Sequence, residues 1–356
     1  MLKKLIFITS FAFVLPIFGQ EIQLPNQAKL VFSGYGETYL SYAFDSNYNN
    51  ERPNLYVSHH KNREFSINYA QLKVKLEHAS YRANLGLQMG SFVERNLAGE
   101  PDALKYLSEC NVGFKIFPKH RIWLDAGIFS SHIGMESAIG LDNKTVSRTL
   151  ISENTPYYEA GAKLSYQSIN EKLEISVSIL NGWQRLRRNS PLGYGMQVKY
   201  KMNDKFNFNY SNYLGYMNAR EFRHYHNIYV QSEISKKFNG SIGFDLGFQQ
   251  INGLTNVGKK VIGTFITMQY KHSEKWRFAA RLEKFSDAKS MIVNLDNFSG
   301  IAVDGYSFNI DYHFSKHIVF RNEIKYLNAD QPIFRQKLNA LKTDNVCLLS
   351  SLNFIF

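Results

Sequence analysis

Sixteen times along this chain, apolar residues recur at every second position, and the segments that join these runs alternate between short and long. Ser241 to Gln249, SIGFDLGFQ, is one such run. Ile242, Phe244, Leu246 and Phe248 alternate there with Ser241, Gly243, Asp245, Gly247 and Gln249. A period of two marks a strand with one apolar face. LKVKLE (72–77), YRANLGLQ (81–88), LEISVSI (173–179) and WRFAARLE (276–283) repeat it. The spacing predicts strands over 29–44, 63–78, 81–93, 108–117, 121–130, 156–167, 172–183, 192–202, 206–217, 223–235, 240–251, 260–271, 275–285, 301–314, 317–328 and 344–356. Most are long enough to cross a bilayer at a tilt, which takes roughly 9–11 residues. Helical periodicity is confined to Pro101–Leu107, inside a connector.

The connectors decide what the apolar faces touch. Those at 78–80, 118–120, 203–205, 272–274 and 315–316 are short, and those at 45–62, 94–107, 131–155, 286–300 and 329–343 are long, with 184–191, 218–222 and 252–259 between. A soluble sandwich has no reason to gather its short turns at one end. A transmembrane barrel does, with short periplasmic turns and long extracellular loops. The fold class expected is therefore all-β: a transmembrane antiparallel β-barrel of about 16 strands. Closure pairs every backbone group without leaving an edge in lipid, and this many strands leave an aqueous lumen. Phe244 then faces lipid and Asp245 the lumen. Tyr81, Tyr166, Tyr200, Phe206, Tyr270, Trp276, Tyr312 and Phe356 collect at the short-turn end as an interfacial girdle. Asp304, Asn322, His224 and His226 fall on the outward parity. Asn322 is the deepest of these and points to a bulge or a slipped register.

Two lysines and an apolar run from Leu5 to Phe18 precede Gly19, the layout of a secretory signal peptide over 1–19. Residues 20–28 read as a short lead and 29–356 as a single barrel domain. The formal net charge of +12 falls to about +10 once Lys3 and Lys4 leave with the signal. For an exported chain the partners that follow are outer-membrane lipid and small hydrophilic solutes, not nucleic acid. A homo-oligomer is compatible with the fold. Cys110 and Cys347 are too few for a disulfide framework.

Inward positions carry charge of both signs. Glu37, Lys73, Lys75, Arg82, Asp125, Asp245, Arg277, Arg281, Glu283, Arg321 and Glu323 are the candidate pore-lining residues. The near balance of the wall supports at most a weak anion preference, because selectivity depends on the narrowest ring. His224 with His226, and His59 with His60, lack the third ligand that a metal site needs. The expectation is of no cofactor and no metal. Ser130, Ser131 and His132 are neighbours without an evident orienting acid, so no catalytic residues are assigned.

The segments LDAGIFSSHIGMESAIGLDN (124–143), SRTL (147–150), PYYEAGAKLSY (156–166) and LNGWQ (180–184), together with SGYGETYLSY (33–42) and REFSINYAQLKVKLE (63–77), resemble the OmpL-like outer-membrane beta-barrel porin family of Gram-negative bacteria. The terminal LNFIF (352–356) is similar to the assembly signal of such barrels, with Ser351 in place of the usual glycine. The resemblance implies a cell outer-membrane location and porin-like diffusion of small hydrophilic solutes, without a defined solute. The alternative is a surface-binding or structural barrel that recognises a partner or glycan through its long loops. In general porins the loop after the fifth strand folds inward. Here that loop is 131–155, with Glu136, Asp142, Lys144 and Arg148 as constriction candidates and Gly134 and Gly140 to permit bends. The mature chain is expected in the outer-membrane fraction and to migrate heat-modifiably on a gel, whereas recovery as a soluble periplasmic protein contradicts the barrel.

Overall fold

The structure is a computed structural model. It describes residues 21–44, 50–295, 298–335 and 340–356. The expected signal peptide lies outside the described residues.

Sixteen strands form one closed antiparallel sheet. They are β1 (Lys29–Ala43), β2 (Phe65–Glu77), β3 (Tyr81–Met89), β4 (Leu107–Lys115), β5 (Ile122–Ser130), β6 (Tyr158–Gln167), β7 (Leu173–Leu180), β8 (Gly193–Lys201), β9 (Phe206–Tyr216), β10 (Phe222–Ser232), β11 (Phe238–Ile251), β12 (Leu254–Lys271), β13 (Trp276–Asp287), β14 (Ile301–His313), β15 (Ile318–Ala329) and β16 (Asp344–Ile355). Each pairs with its sequence neighbour, and β16 closes on β1 in a register running from Ile355↔Tyr35 to Cys347↔Ala43. The soluble-sandwich reading is thereby excluded. A lead strand, Glu21–Gln23, pairs with Lys29–Val31 at the short-turn end of β1.

Parity is as the alternation requires. Ile242 and Phe244 are exposed on the outer face, and Ser241 and Asp245 are buried inside. Asn322 does not mark a slipped register. It faces outward opposite Ser350, whose hydroxyl donates to its Oδ1 at 2.8 Å. The two polar groups satisfy each other where water is absent. His226 is likewise paired outside, with its Nδ1 2.9 Å from the Tyr210 hydroxyl.

Boundaries shift where the local chemistry differs from the alternation. The third expected strand stops at Met89 because Gly90 turns the chain at φ 120°, a conformation L side chains rarely adopt. A short helix, α1 (Ser91–Asn96), follows and buries Phe92 and Val93. A single turn, α2 (Asp102–Lys105), falls within the expected helical stretch. The connector expected over 252–259 is much shorter. Asn252 and Gly253, at φ 53° and 79°, make a two-residue hairpin turn, and β12 starts at Leu254.

Phe244 is central in β11 and Phe238 begins that strand at the short-turn end. Phe244→Arg should therefore cost about 2–4 kcal/mol of folding free energy in lipid, and Phe238→Arg about 0–1 kcal/mol. Reversible urea unfolding from vesicles measures both. Equal costs would contradict this placement.

Candidate functional site

The connector from β5 to β6, residues 131–157, does not project outward. It crosses the interior and is held there by the polar inward side chains of the wall. Arg281 of β13, fully buried, donates to Thr145 Oγ1 at 2.6 Å, to the Ser147 carbonyl at 2.7 Å and to Ser147 Oγ at 2.8 Å. Glu323 accepts from the Ser147 amide, and Glu283 from the Leu150 amide, both at 2.5 Å. Arg321 donates to the carbonyls of Gly140 and Asn143 at 2.7 and 3.0 Å, and Lys325 donates to that of Arg148 at 3.2 Å. From β1, the Tyr35 hydroxyl accepts from the Gly140 amide at 3.0 Å. The segment ends in a turn of helix, α3 (Leu150–Glu153), capped by Thr149 Oγ1.

This arrangement follows from desolvation. Burying an arginine among apolar side chains is costly unless every N–H finds an acceptor. The loop supplies acceptors to both terminal nitrogens of Arg281, whose Nε alone is without a partner among the described residues, and the carboxylates of the same wall hold the loop's amides.

A second layer lies over the first. Glu153 accepts from the Val57 and Ser58 amides at 3.0 and 2.7 Å, drawing the β1–β2 loop inward. Leu55, Tyr56, Leu150, Ile151, Met291, Val293, Ile333 and Phe334 from the loops pack against Phe265, Phe285, Val303 and Leu327 of the wall. The β11–β15 side of the interior is thus filled, while a smaller cavity of about 300 Å³ remains at the short-turn end against Asn207, Asn209, Tyr229 and Gln231 of β9 and β10.

Open space remains on the other side, against β2–β8. Two cavities of about 420 and 590 Å³ lie between the inner loop and the wall. Both are bordered by Lys75, Glu109, Ser130, Ser131 and Gly134. One reaches α1 through Phe92 and Asn96, and the other reaches the short-turn end through Arg121 and Gln167. Every carboxylate lining the larger cavity is engaged. Asp125 takes a bidentate pair from Arg82 at 2.5–2.7 Å, and Glu109 takes Lys73 at 2.5 Å. Glu77 faces Lys29 at 3.2 Å, and Glu174 faces Lys199 at 3.4 Å. Glu159 accepts from Ser131 and contacts His132 Nδ1 at 2.8 Å. Among the described residues lining this cavity, Lys75 and Lys163 have no carboxylate at ion-pair distance. Lys163 instead lies 4.8 Å from the centre of the Phe129 ring.

The candidate residues of the wall therefore divide. Lys73, Lys75, Arg82 and Asp125 border the cavities. Asp245, Arg281, Glu283, Arg321 and Glu323 also point inward but are buried beneath the inner loop, with Asp245 accepting from Tyr225 and Asn227 at 2.9 Å each. Glu37 is buried against His59, whose Nε2 is 2.9 Å from its carboxylate, and Asn68. Arg277 is half-buried near the short-turn end, opposite Asp311 and Lys271 in the register. Of the loop candidates, Glu136 and Asp142 border the smaller cavity. Arg148 does not. It is fully buried, and its guanidinium staples the loop to itself through the Ser137 and Ala138 carbonyls. Lys144 is half-buried, and burial lowers its pKa while nearby Glu136 opposes that.

Glu159 is the orienting acid that sequence proximity to His132 did not suggest, since 27 residues separate them. His132 Nε2 faces the Asn212 carbonyl at 2.6 Å, and the Ser131 hydroxyl donates to the same carboxylate. His224 and His226 have ring centres 5.8 Å apart on the outer face.

The family described as "Putative beta-barrel porin-2, OmpL-like" matches residues 29–356. No curated protein matches. Solved structures do. An anion-selective porin from Comamonas acidovorans aligns with TM-score 0.60 at 7% identity, over 92% of this chain and 100% of its own. OmpT of Vibrio cholerae in a trimer form aligns with TM-score 0.60 at 10% identity, over 92% and 99%. The outer-membrane channel DcaP of Acinetobacter baumannii aligns with TM-score 0.59 at 10% identity, over 94% and 99%. At such identities the likeness is one of fold.

Arg281→Met leaves Glu323, Glu283 and Glu136 without their shared cation and should cost about 3–5 kcal/mol. In a barrel that still migrates heat-modifiably, trypsin should then cut after Lys144 or Arg148, which the wild type protects. Equal resistance of variant and wild type would mean that other contacts hold the loop.

Proposed function

This chain belongs to the family described as "Putative beta-barrel porin-2, OmpL-like", and from that premise we propose that it is a passive outer-membrane channel for small hydrophilic solutes with a preference for anions. The route runs off-centre, along β2–β8, through the two cavities that share Lys75, Glu109 and Ser130. The observation that carries the reading is the state of the charges there. The carboxylates of the larger cavity are held by cations or by the Ser131–His132 pair, while Lys75 and Lys163 have no carboxylate at ion-pair distance among the described residues. A paired carboxylate presents little field, whereas an unpaired ammonium beside low-dielectric walls presents a large one. The excess positive charge that the composition assigns to the chain is thus expressed where a solute would pass. The loop that bears Arg185, Arg187 and Arg188 adds cations next to α1, since the Leu186 amide and the Gln184 side chain tie it to Glu100 and Asn96. These arginines would raise the local concentration of anions at the mouth.

Planar-bilayer recording tests the reading. A salt gradient should give a reversal potential on the anion side for the wild type. Lys75→Glu with Lys163→Glu should move it toward cations. The same exchange at Lys144, on the inner loop, should move it less. Absence of conductance in correctly folded protein, or equal shifts from both exchanges, would overturn the proposed route.

A further inference from the structure

The outer face of the barrel is not uniform. Of the Asp, Glu, Lys, Arg and His side chains that point outward from the described strands, Asp344 sits at the rim of β16. All the others lie on four of the five adjacent strands β10–β14: His224 and His226 on β10, Lys260 on β12, Lys284 on β13 and Asp304 on β14. They occupy the half of the wall toward the long loops. The outward positions of β1–β9 carry none.

Directly below this cluster the surface is hollowed. A depression of about 610 Å³ is lined by Ile228, Ile242, Phe244, Ile266, Leu282 and Tyr306. Its cause is Thr264. In the register the row runs Phe244↔Thr264↔Lys284↔Asp304, so a short side chain stands between two long ones. Lys284 lies 3.2 Å from Asp304, yet its side chain remains 69% exposed. Lys260 is exposed and, among the described residues, has no carboxylate at ion-pair distance. The two lysines are one strand and four residues apart, about 14 Å between Cα atoms, within the reach of two extended lysine chains toward one headgroup.

We propose that β10–β14 form a binding site for a phosphate-bearing acyl lipid of the membrane leaflet on the long-loop side. One acyl chain fills the depression above Thr264, and the phosphate sits between Lys260 and Lys284. A lysine on the lipid face is unfavourable unless its ammonium reaches an anion or water at the interface. With Asp304 offsetting only one of two lysines, the cluster stays cationic and matches an anionic headgroup. A groove lined by aliphatic and aromatic side chains matches hydrocarbon. A second copy of this chain would have to bring acidic groups, and the outward face of the described strands supplies only Asp304 and the rim Asp344. The site is separate from the interior route, so the two can fail independently.

Native mass spectrometry of the folded protein in detergent, with lipid A or its dephosphorylated form added, tests the assignment. The wild type should retain lipid A, with binding to the dephosphorylated form weaker by at least tenfold. Lys260→Gln with Lys284→Gln should lose that discrimination, and Lys260→Arg with Lys284→Arg should keep it. Thr264→Phe, which fills the depression and leaves the charges in place, should also weaken retention. Lys119→Gln with Lys237→Gln, in turns at the opposite end, should change nothing. Each variant is first checked for heat-modifiable migration, and conductance should stay at the wild-type level in all of them. Equal retention of the two lipid forms, wild-type retention in the Gln pair, or association of copies that Thr264→Phe abolishes while lipid retention persists would each overturn the proposal.

Discussion

Every peptide group that enters hydrocarbon must find its partner within the protein, and in this chain that requirement is met by joining β16 to β1. Alternation is a consequence of closure. Once the sheet has an inside and an outside, successive side chains belong to different solvents, and Phe244 and Asp245 can be neighbours in sequence without conflict. Closure also creates an interior that only chain from the loops can fill. The inner loop is drawn in by acceptors and donors that the wall already carries: Arg281 and Arg321 donate to its carbonyls, and Glu323 accepts from its amide. Those three side chains would be poorly placed in an apolar core and unremarkable in a water-filled pore. Here they act as fasteners.

Fastening on one side leaves space on the other. The β11–β15 side of the interior is closed by a continuous apolar cluster under the loops, so the charges of the wall cannot be averaged over its circumference. An inventory of inward charges gives near balance. The charges beside the larger cavity are not balanced in effect, because pairing such as Arg82–Asp125 and Lys73–Glu109 removes its carboxylates from the sum while leaving Lys75 and Lys163 in it.

Strand number and facing were legible in the sequence because lipid enforces a strict period of two. The signal needs no knowledge of the partner strand. What lies over an inward residue is a different matter. Lys75 and Arg281 occupy equivalent positions in their own runs, yet one borders a cavity and the other is sealed, and only the path of a loop more than a hundred residues from Arg281 separates them. Arg148 shows the same dependence: its charge points to a constriction, and its guanidinium is spent on carbonyls of its own loop. Two other differences did leave a local trace. Asn252-Gly253 is a strong two-residue hairpin signal, although the residues after it do not alternate. Gly90, ahead of a Ser-Phe-Val-Glu stretch, marks the end of β3. The outward Asn322 had no local explanation, since Ser350 lies 28 residues away.

The central claim is that the interior is open along β2–β8 and closed along β11–β15. Cysteine accessibility tests it most directly, in a background where Cys110 and Cys347 are replaced by serine and alanine. Asn84→Cys borders the larger cavity, and Thr267→Cys lies inward on β12, where the native side chain is buried. A charged, water-soluble thiol reagent added during single-channel recording should reduce current through the Asn84→Cys protein and leave the Thr267→Cys protein unaffected. Block at both positions, or at Thr267→Cys alone, would contradict the divided lumen.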